Sequence, residues 1–164
     1  EAVRTMATVA RDVEKVLAQR VAQAEFLSQQ AGDSLRKAMV FGAAMIAEAL
    51  GAKFIVIRSE SGVTARYLSK VRGPIPILVA HPDPAVLRRH ALLWGVLAVR
   101  TSAEEGESPG MAEELSNLAR AILDEGLVLT SDRIVVVSRY PWGEQQPPNN
   151  IRTLRVGDAL GALP

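Results

Sequence analysis

Residues Phe54–Arg72 read FIVIRSESGVTARYLSKVR, and the fold follows from how this stretch is parsed. Phe54–Ile57 is a continuous apolar run, the pattern of a strand covered on both faces. Ser59–Gly62 follows as a short loop of small and polar residues, and an amphipathic helix begins near Thr64. A strand, loop and helix in this order aim backbone N–H groups and hydroxyls at a helix N-terminus, where the dipole favours an anion. Such a loop forms an anion nest. A tight connection that only turns the chain uses the same residue types, so the stretch by itself leaves both readings open.

Working outward, helix and strand alternate. From Glu1 to about Gln30 the apolar positions Val3, Met6, Val9, Ala10, Val13, Val16, Leu17 and Val21 recur at helical spacing. Gly32-Asp33-Ser34 interrupts, with Asp33 or Ser34 as N-cap of a second helix, Leu35–Leu50, which Gly51 stops. After strand Phe54–Ile57 and helix Thr64–Val71 come a proline-flanked strand, Ile75–Val79, a helix Pro84–Leu93 and a strand Val96–Val99. An acidic loop, Thr101–Gly110, leads to helix Met111–Glu125 and strand Arg133–Val137. The Pro- and Gln-rich loop Arg139–Asn150 ends in a last strand, Ile151–Val156. Short apolar strands separated by helices predict a mostly parallel sheet with helices on both faces. The expected organisation is an N-terminal helical arm, residues 1–30, followed by one α/β domain, residues 31–164.

Composition narrows the function classes. The chain has 164 residues, 48% of them hydrophobic, enough for one domain with a full core and a modest appendage. A formal net charge of +1 gives no bulk attraction to nucleic acid or to a membrane. There are no cysteines, which excludes disulfides, thiolate metal sites and cysteine nucleophiles, and fits a reducing compartment. The first residues are amphipathic and carry acids, unlike a secretory signal or a membrane span. The chain does not begin with Met, and a cytoplasmic protein, or a fragment of one, is expected.

Ligands of open α/β sheets sit at the carboxyl ends of the strands. Four loops qualify: Arg58–Val63, Ala80–Asp83, Arg100–Gly110 and Ser138–Asn150. The first offers hydroxyls and backbone; the fourth offers Arg139, Tyr140, Trp142 and Gly143, which are a cation, an aromatic platform and a flexible backbone. Catalytic machinery is not evident. His81 lies in a His-Pro-Asp-Pro turn and reads as loop structure, and His90, beside Arg88 and Arg89, reads as a surface or interface residue. Glu104, Glu105 and Glu107 form an acid run in a Gly/Ser/Pro loop and read as solvated. Trp94 reads as a core or interface anchor. No cluster of metal ligands, Walker A loop or GxGxxG fingerprint is present.

Five segments in order resemble the C-terminal domain of pyruvate kinase and cover nearly the whole chain. EAVRTMATVARDVE (Glu1–Glu14) looks like the last helix of that enzyme's catalytic barrel. FIVIRSESGVTARYLSKVRGPIPILVAHPDP (Phe54–Pro84), LRRHALLWGVLAV (Leu87–Val99), GLVLTSDRIVVVSRYPWG (Gly126–Gly143) and TLRV (Thr153–Val156) resemble successive pieces of its C-terminal domain. The resemblance implies a three-layer α/β/α fold with a five-stranded sheet in order 3-2-1-4-5, the last strand antiparallel. The switch point then falls between strands one and four, and the loops Ser59–Thr64 and Ser138–Gly143 face one another.

The family transfers phosphate from phosphoenolpyruvate to ADP, with magnesium and potassium, on a separate (β/α)8 barrel. The resemblance therefore implies no catalytic residue, metal or cofactor in this chain, and no phosphotransfer by it alone. It implies instead a regulatory and oligomerisation domain, partnered in cis by the barrel. Such a domain binds a phosphorylated effector, a sugar phosphate or nucleotide, and contributes to a homo-oligomer. By matching position the effector residues are Ser59, Ser61, Gly62 and Thr64, closed over by the Arg139–Asn150 loop with Arg139, Trp142 and Gly143.

Several positions depart from the family pattern. Glu60 replaces a common lysine or other polar residue, and its carboxylate repels a nearby phosphate by about 1–4 kcal/mol. Val63 stands where effector-responsive members carry a basic residue, and Ala80, followed by His81, lacks the usual threonine. Ile151-Arg152 replaces Thr-Asn, and Gln-Gln-Pro-Pro replaces a Gly-rich turn. These departures argue against fructose 1,6-bisphosphate as the ligand and leave a different effector, or none, as the alternatives. The alternatives are a free-standing small-metabolite binding protein derived from the domain and, with no acid–base pair in view, an independent enzyme at the switch-point crevice.

Overall fold

The computed structural model describes residues 1–13, 34–58, 61–101, 110–139 and 147–161. Helix α1 covers residues 2–13. It is followed by α2 (Ser34–Ala49), β1 (Phe54–Ile57), α3 (Val63–Val71), β2 (Ile77–His81), α4 (Pro84–His90), β3 (Val96–Arg100), α5 (Met111–Asp124), β4 (Arg133–Ser138), β5 (Asn150–Arg155) and α6 (Val156–Leu160). The sheet order is β3-β2-β1-β4-β5. β1 pairs in parallel with β2 and β4, and β2 with β3, whereas β5 runs antiparallel to β4. This is the three-layer α/β/α arrangement expected from the sequence.

The pleat divides the core into two. Phe54, Val56, Leu78, Ala80, Ile134 and Val136 face Leu118, Ala119 and Ile122 of α5 and Val156 and Ala159 of α6. Their neighbours Ile55, Ile57, Ile77, Val79, Val135 and Val137 face Val40, Ala43 and Ala47 of α2 and Ala65 and Leu68 of α3. Successive strand residues point to opposite faces, so an unbroken apolar run is what a doubly covered strand requires. Each large aliphatic side chain removed from water here contributes about 1.5–3 kcal/mol.

Gly51 stops α2 as expected. It is left-handed at φ 59°, Ala52 N–H donates to Ala47 O (2.8 Å), and Gly51 N–H donates to Glu48 O (3.1 Å). These are the two bonds of a Schellman ending. The N-cap of α4 is Asp83, whose Oδ1 accepts from Ala85 N–H at 2.7 Å, with Pro84 in the first turn. The Asp83 N–H donates in turn to His81 Nδ1 at 3.0 Å, so His81 does serve the loop.

Several boundaries differ from the sequence expectation. The second strand is displaced to Ile77–His81 because Pro76 has no N–H to give the ladder. Pro76 O still accepts from Ile55 N–H at 3.0 Å, and Ile77 N–H donates to Gly95 O at 2.9 Å. Helix α4 ends at His90 rather than Leu93, because the chain must turn through residues 91–95, with Gly95 at φ 69°, to enter β3. The last strand stops at Arg155. Val156 N–H donates to Asp132 O (3.0 Å) and Gly157 N–H to Thr130 O (2.9 Å), which starts the short α6 that the sequence did not announce. Of the expected first helix, residues 2–13 are helical and the rest lies outside the described residues, as does the acid run of the Thr101–Gly110 loop.

Candidate functional site

β1 and β4 are parallel neighbours, with Ile57 opposite Val137, so the loops that follow them leave the sheet at the same end. The chain departs from β1 to one side through α3 and β2 and reaches β4 from the other through α5. This is the switch point of a doubly wound sheet.

Helix α3 begins here. Its N-cap, Gly62, is left-handed (φ 71°) and provides no side-chain cap. Arg66 N–H donates to Gly62 O at 3.0 Å, so the N–H groups of Val63, Thr64 and Ala65 precede the first intrahelical bond. Ser61 is exposed, whereas Thr64 is buried (5% exposed). Thr64 Oγ1 accepts from Arg36 Nη1 at 3.3 Å, a guanidinium brought from the first turn of α2. Ser61, Gly62 and Thr64 are therefore gathered at one helix end, as expected; Ser59 and Glu60 lie outside the described residues.

His90 closes the site from below. It is 3% exposed within the domain itself, which corrects its reading as a surface or interface residue: Val86 and His90 share the buried face of α4. Its Nδ1–H donates to Val86 O at 2.7 Å, which leaves Nε2 as the acceptor nitrogen. That Nε2 is buried and has no hydrogen-bond partner. It stands in the space that a Cβ on residue 62 would enter. Gly62 is thus required twice, for its φ and for the imidazole packed against it.

On the neighbouring strand, Asn149 N–H donates to Ser138 O at 3.2 Å, which draws the two ends of the fourth loop together. Arg139, half-buried, donates from Nη1 to Pro147 O at 3.4 Å. Trp142 and Gly143, the other expected residues of this loop, lie outside the described residues. Arg58, the first residue after β1, pairs with Glu114 in the first turn of α5. The guanidinium side is 41% exposed and the carboxylate side 9%. Burial of Glu114 is offset by this partner.

Arg36, Arg58, His90 and Glu114 were not found from sequence as site residues. Arg58 carried a faint signal, a charge ending an apolar strand, and Glu114 another, an acid on the buried face of α5. Arg36 and His90 carried none, because each meets the loop only through the tertiary fold. Among the described residues no group of three or more His, Asp or Glu could hold a metal, and no helix is long and apolar enough to cross a membrane.

The fold is thus that of a doubly wound α/β domain whose switch point carries the N-terminus of α3, with Arg36 beside it. A family profile described as "Pyruvate kinase, alpha/beta domain" matches residues 37–154, and the chain belongs to that family. It is 33% identical to a pyruvate kinase of Agrobacterium vitis over 119 residues, covering 73% of this chain and 24% of the relative. It is 32% identical to one of Staphylococcus epidermidis and 31% to one of Staphylococcus aureus, each over 166 aligned positions covering 98% of this chain and 26% of the relative. The chain therefore spans about a quarter of the length of the curated relatives it matches.

Proposed function

We propose that this chain is the regulatory and assembly domain of a pyruvate kinase and that it binds a phosphorylated effector at the N-terminus of α3. The observation that carries this is the convergence of Ser61, the left-handed Gly62, Thr64 and Arg36 on one helix end at the switch point. Backbone donors, a hydroxyl and a guanidinium suit a phosphate, and the dipole of α3 adds to them. Arg139 at the end of β4 lies at the root of the loop that closes the effector in. Phosphotransfer, with its magnesium and potassium, belongs to the catalytic barrel of the full-length enzyme. That barrel is the partner in cis for the apolar stripe of α1, where Val3 is 80% and Val13 50% exposed. Assembly into a homo-oligomer, in the cytoplasm, completes the proposal.

Thermal melting of the chain against a panel of sugar phosphates and nucleotides tests it. A saturable rise in Tm with a phosphorylated compound, absent with its unphosphorylated parent, is expected. No rise with any member of the panel would overturn the effector role.

A further inference from the structure

We propose that Lys53, Arg133 and Arg155 form a separate anion site at the amino end of the sheet, opposite the end at which α3 begins, and that its ligand is a linear chain of phosphate groups. The proposal does not depend on the effector reading above.

The three cations adjoin on neighbouring strands. Lys53 N–H donates to Arg133 O at 2.7 Å, and Arg133 lies directly opposite Arg155 across β4 and β5. Val156 N–H donates to Asp132 O at 3.0 Å, which makes Asp132 and Val156 a hydrogen-bonded pair of the antiparallel ladder. Arg133 and Arg155 are then the next, non-hydrogen-bonded pair, the kind whose Cα atoms approach to about 4.5 Å and whose side chains lie closer together. All three residues are exposed. Among the described residues none of their side chains has a hydrogen-bond or ion-pair partner.

Like charges directly opposite one another destabilise a strand pair. The nearest acid in sequence does not offset the charge, because Asp132 Oδ2 accepts from Leu129 N–H at 2.8 Å. Two arginines at the closest cross-strand position, with a lysine beside them, break a local rule for which the fold shows no gain, the mark of a functional site. The fork of a guanidinium matches the oxygens of a tetrahedral oxyanion. One exposed ion pair contributes little, so a useful ligand must engage all three cations at once. Neighbouring strands lie about 4.8 Å apart, whereas acids on one face of an extended peptide recur only about every 6.7 Å. A phosphate chain carries its charges closely enough for the row, free or as part of a nucleoside triphosphate.

Calorimetric titration of the full chain carrying Ser61→Asp, which places an acid at the α3 end, tests this with inorganic tripolyphosphate, adenosine triphosphate, orthophosphate and hexaglutamate. Tripolyphosphate is expected to bind saturably, at least about tenfold more tightly than orthophosphate, with an affinity that falls as salt rises. Arg133→Gln and Arg155→Gln should each weaken it about fivefold. Each should also raise the ligand-free Tm by about 1–4 °C, because the repulsion across the pair is gone. Arginines held for the fold would instead lower the Tm when replaced, and that result would overturn the proposal. Equal affinity for tripolyphosphate and adenosine triphosphate shows that the phosphate chain alone is recognised, and tighter binding of the latter identifies a nucleoside triphosphate. Undiminished tripolyphosphate affinity in the Arg133→Gln, Arg155→Gln double variant, or tighter binding of hexaglutamate, would overturn the site or its ligand class. No binding of tripolyphosphate to the Ser61→Asp chain would overturn the proposal and leave the α3 reading standing.

Discussion

The imidazole of His90 fills the space beside Gly62 that any other residue's Cβ would need, so the N-cap of α3 and the end of α4 are fitted to one another. Gly62→Ala then adds two separable costs, left-handed backbone strain of about 1–2 kcal/mol and overpacking of about 1–3 kcal/mol. In a His90→Ala background only the strain should remain. Urea denaturation of the four chains checks this, and an equal cost of Gly62→Ala in both backgrounds would show that the imidazole does not occupy that space.

Arg58 and Glu114 tie the end of β1 to the first turn of α5. Arg58→Leu should destabilise the chain by about 1–3 kcal/mol, below the 3–5 kcal/mol of a fully buried pair, because the guanidinium is partly in water. Replacing both residues with leucine should recover most of the loss. If the double variant is as unstable as the sum of the two singles, the pair is not coupled.

Ser61 is exposed at the mouth of the site, so an acid there should act on ligand and not on fold. Ser61→Asp is expected to leave the ligand-free Tm within a degree or so while abolishing the rise given by a sugar phosphate. At a hundredfold excess over Kd that rise corresponds to about 2.7 kcal/mol. A rise of unchanged size would place the anion elsewhere.

Glu60 is the acid of the same loop. If the proposed site is correct, Glu60→Lys should tighten phosphate binding, by at least about tenfold if the repulsion reaches 1.4 kcal/mol, read by calorimetric titration of the chain with inorganic phosphate. Unchanged affinity would mean that the carboxylate points away from the ligand.

The stripe Val3, Met6, Val9 and Val13 lies on one face of α1 and is exposed throughout. Without a covering surface, such a face drives self-association. Sedimentation of the chain should show concentration-dependent association that Met6→Glu together with Val9→Glu suppresses. A wild-type chain that stays monomeric at every concentration would count against it.

The strands were legible because burial on both faces leaves one sequence pattern, as in Ile134-Val135-Val136-Val137, and the order of motifs supplied their arrangement. Ser61, Gly62 and Thr64 were legible for a local reason, since strand, loop and helix are contiguous. Prolines misled the start of β2: Ile75 looks like a strand residue, but hydrogen bonding begins after Pro76. Arg36 and His90 were not legible, because a contact 28 residues away, as from Arg36 to Thr64, leaves no periodicity to read. Helix α6 was hidden for another reason. VGDAL is too short for a helical pattern, and what starts it is a pair of carbonyls, Asp132 O and Thr130 O, from the turn before β4.

The Asn149–Ser138 bond pinches the chain at the point where β4 hands over to β5, and Arg139 binds Pro147 O just beyond it. The two ends of the connection between β4 and β5 are thereby held at a single neck. Such a segment can be lengthened, shortened or rewritten with little disturbance to the register of the two strands, because the entropic cost of closing a longer loop grows only slowly with its length. On the proposed function, selectivity for one ligand over another can thus be exchanged as a cassette without altering the end of α3.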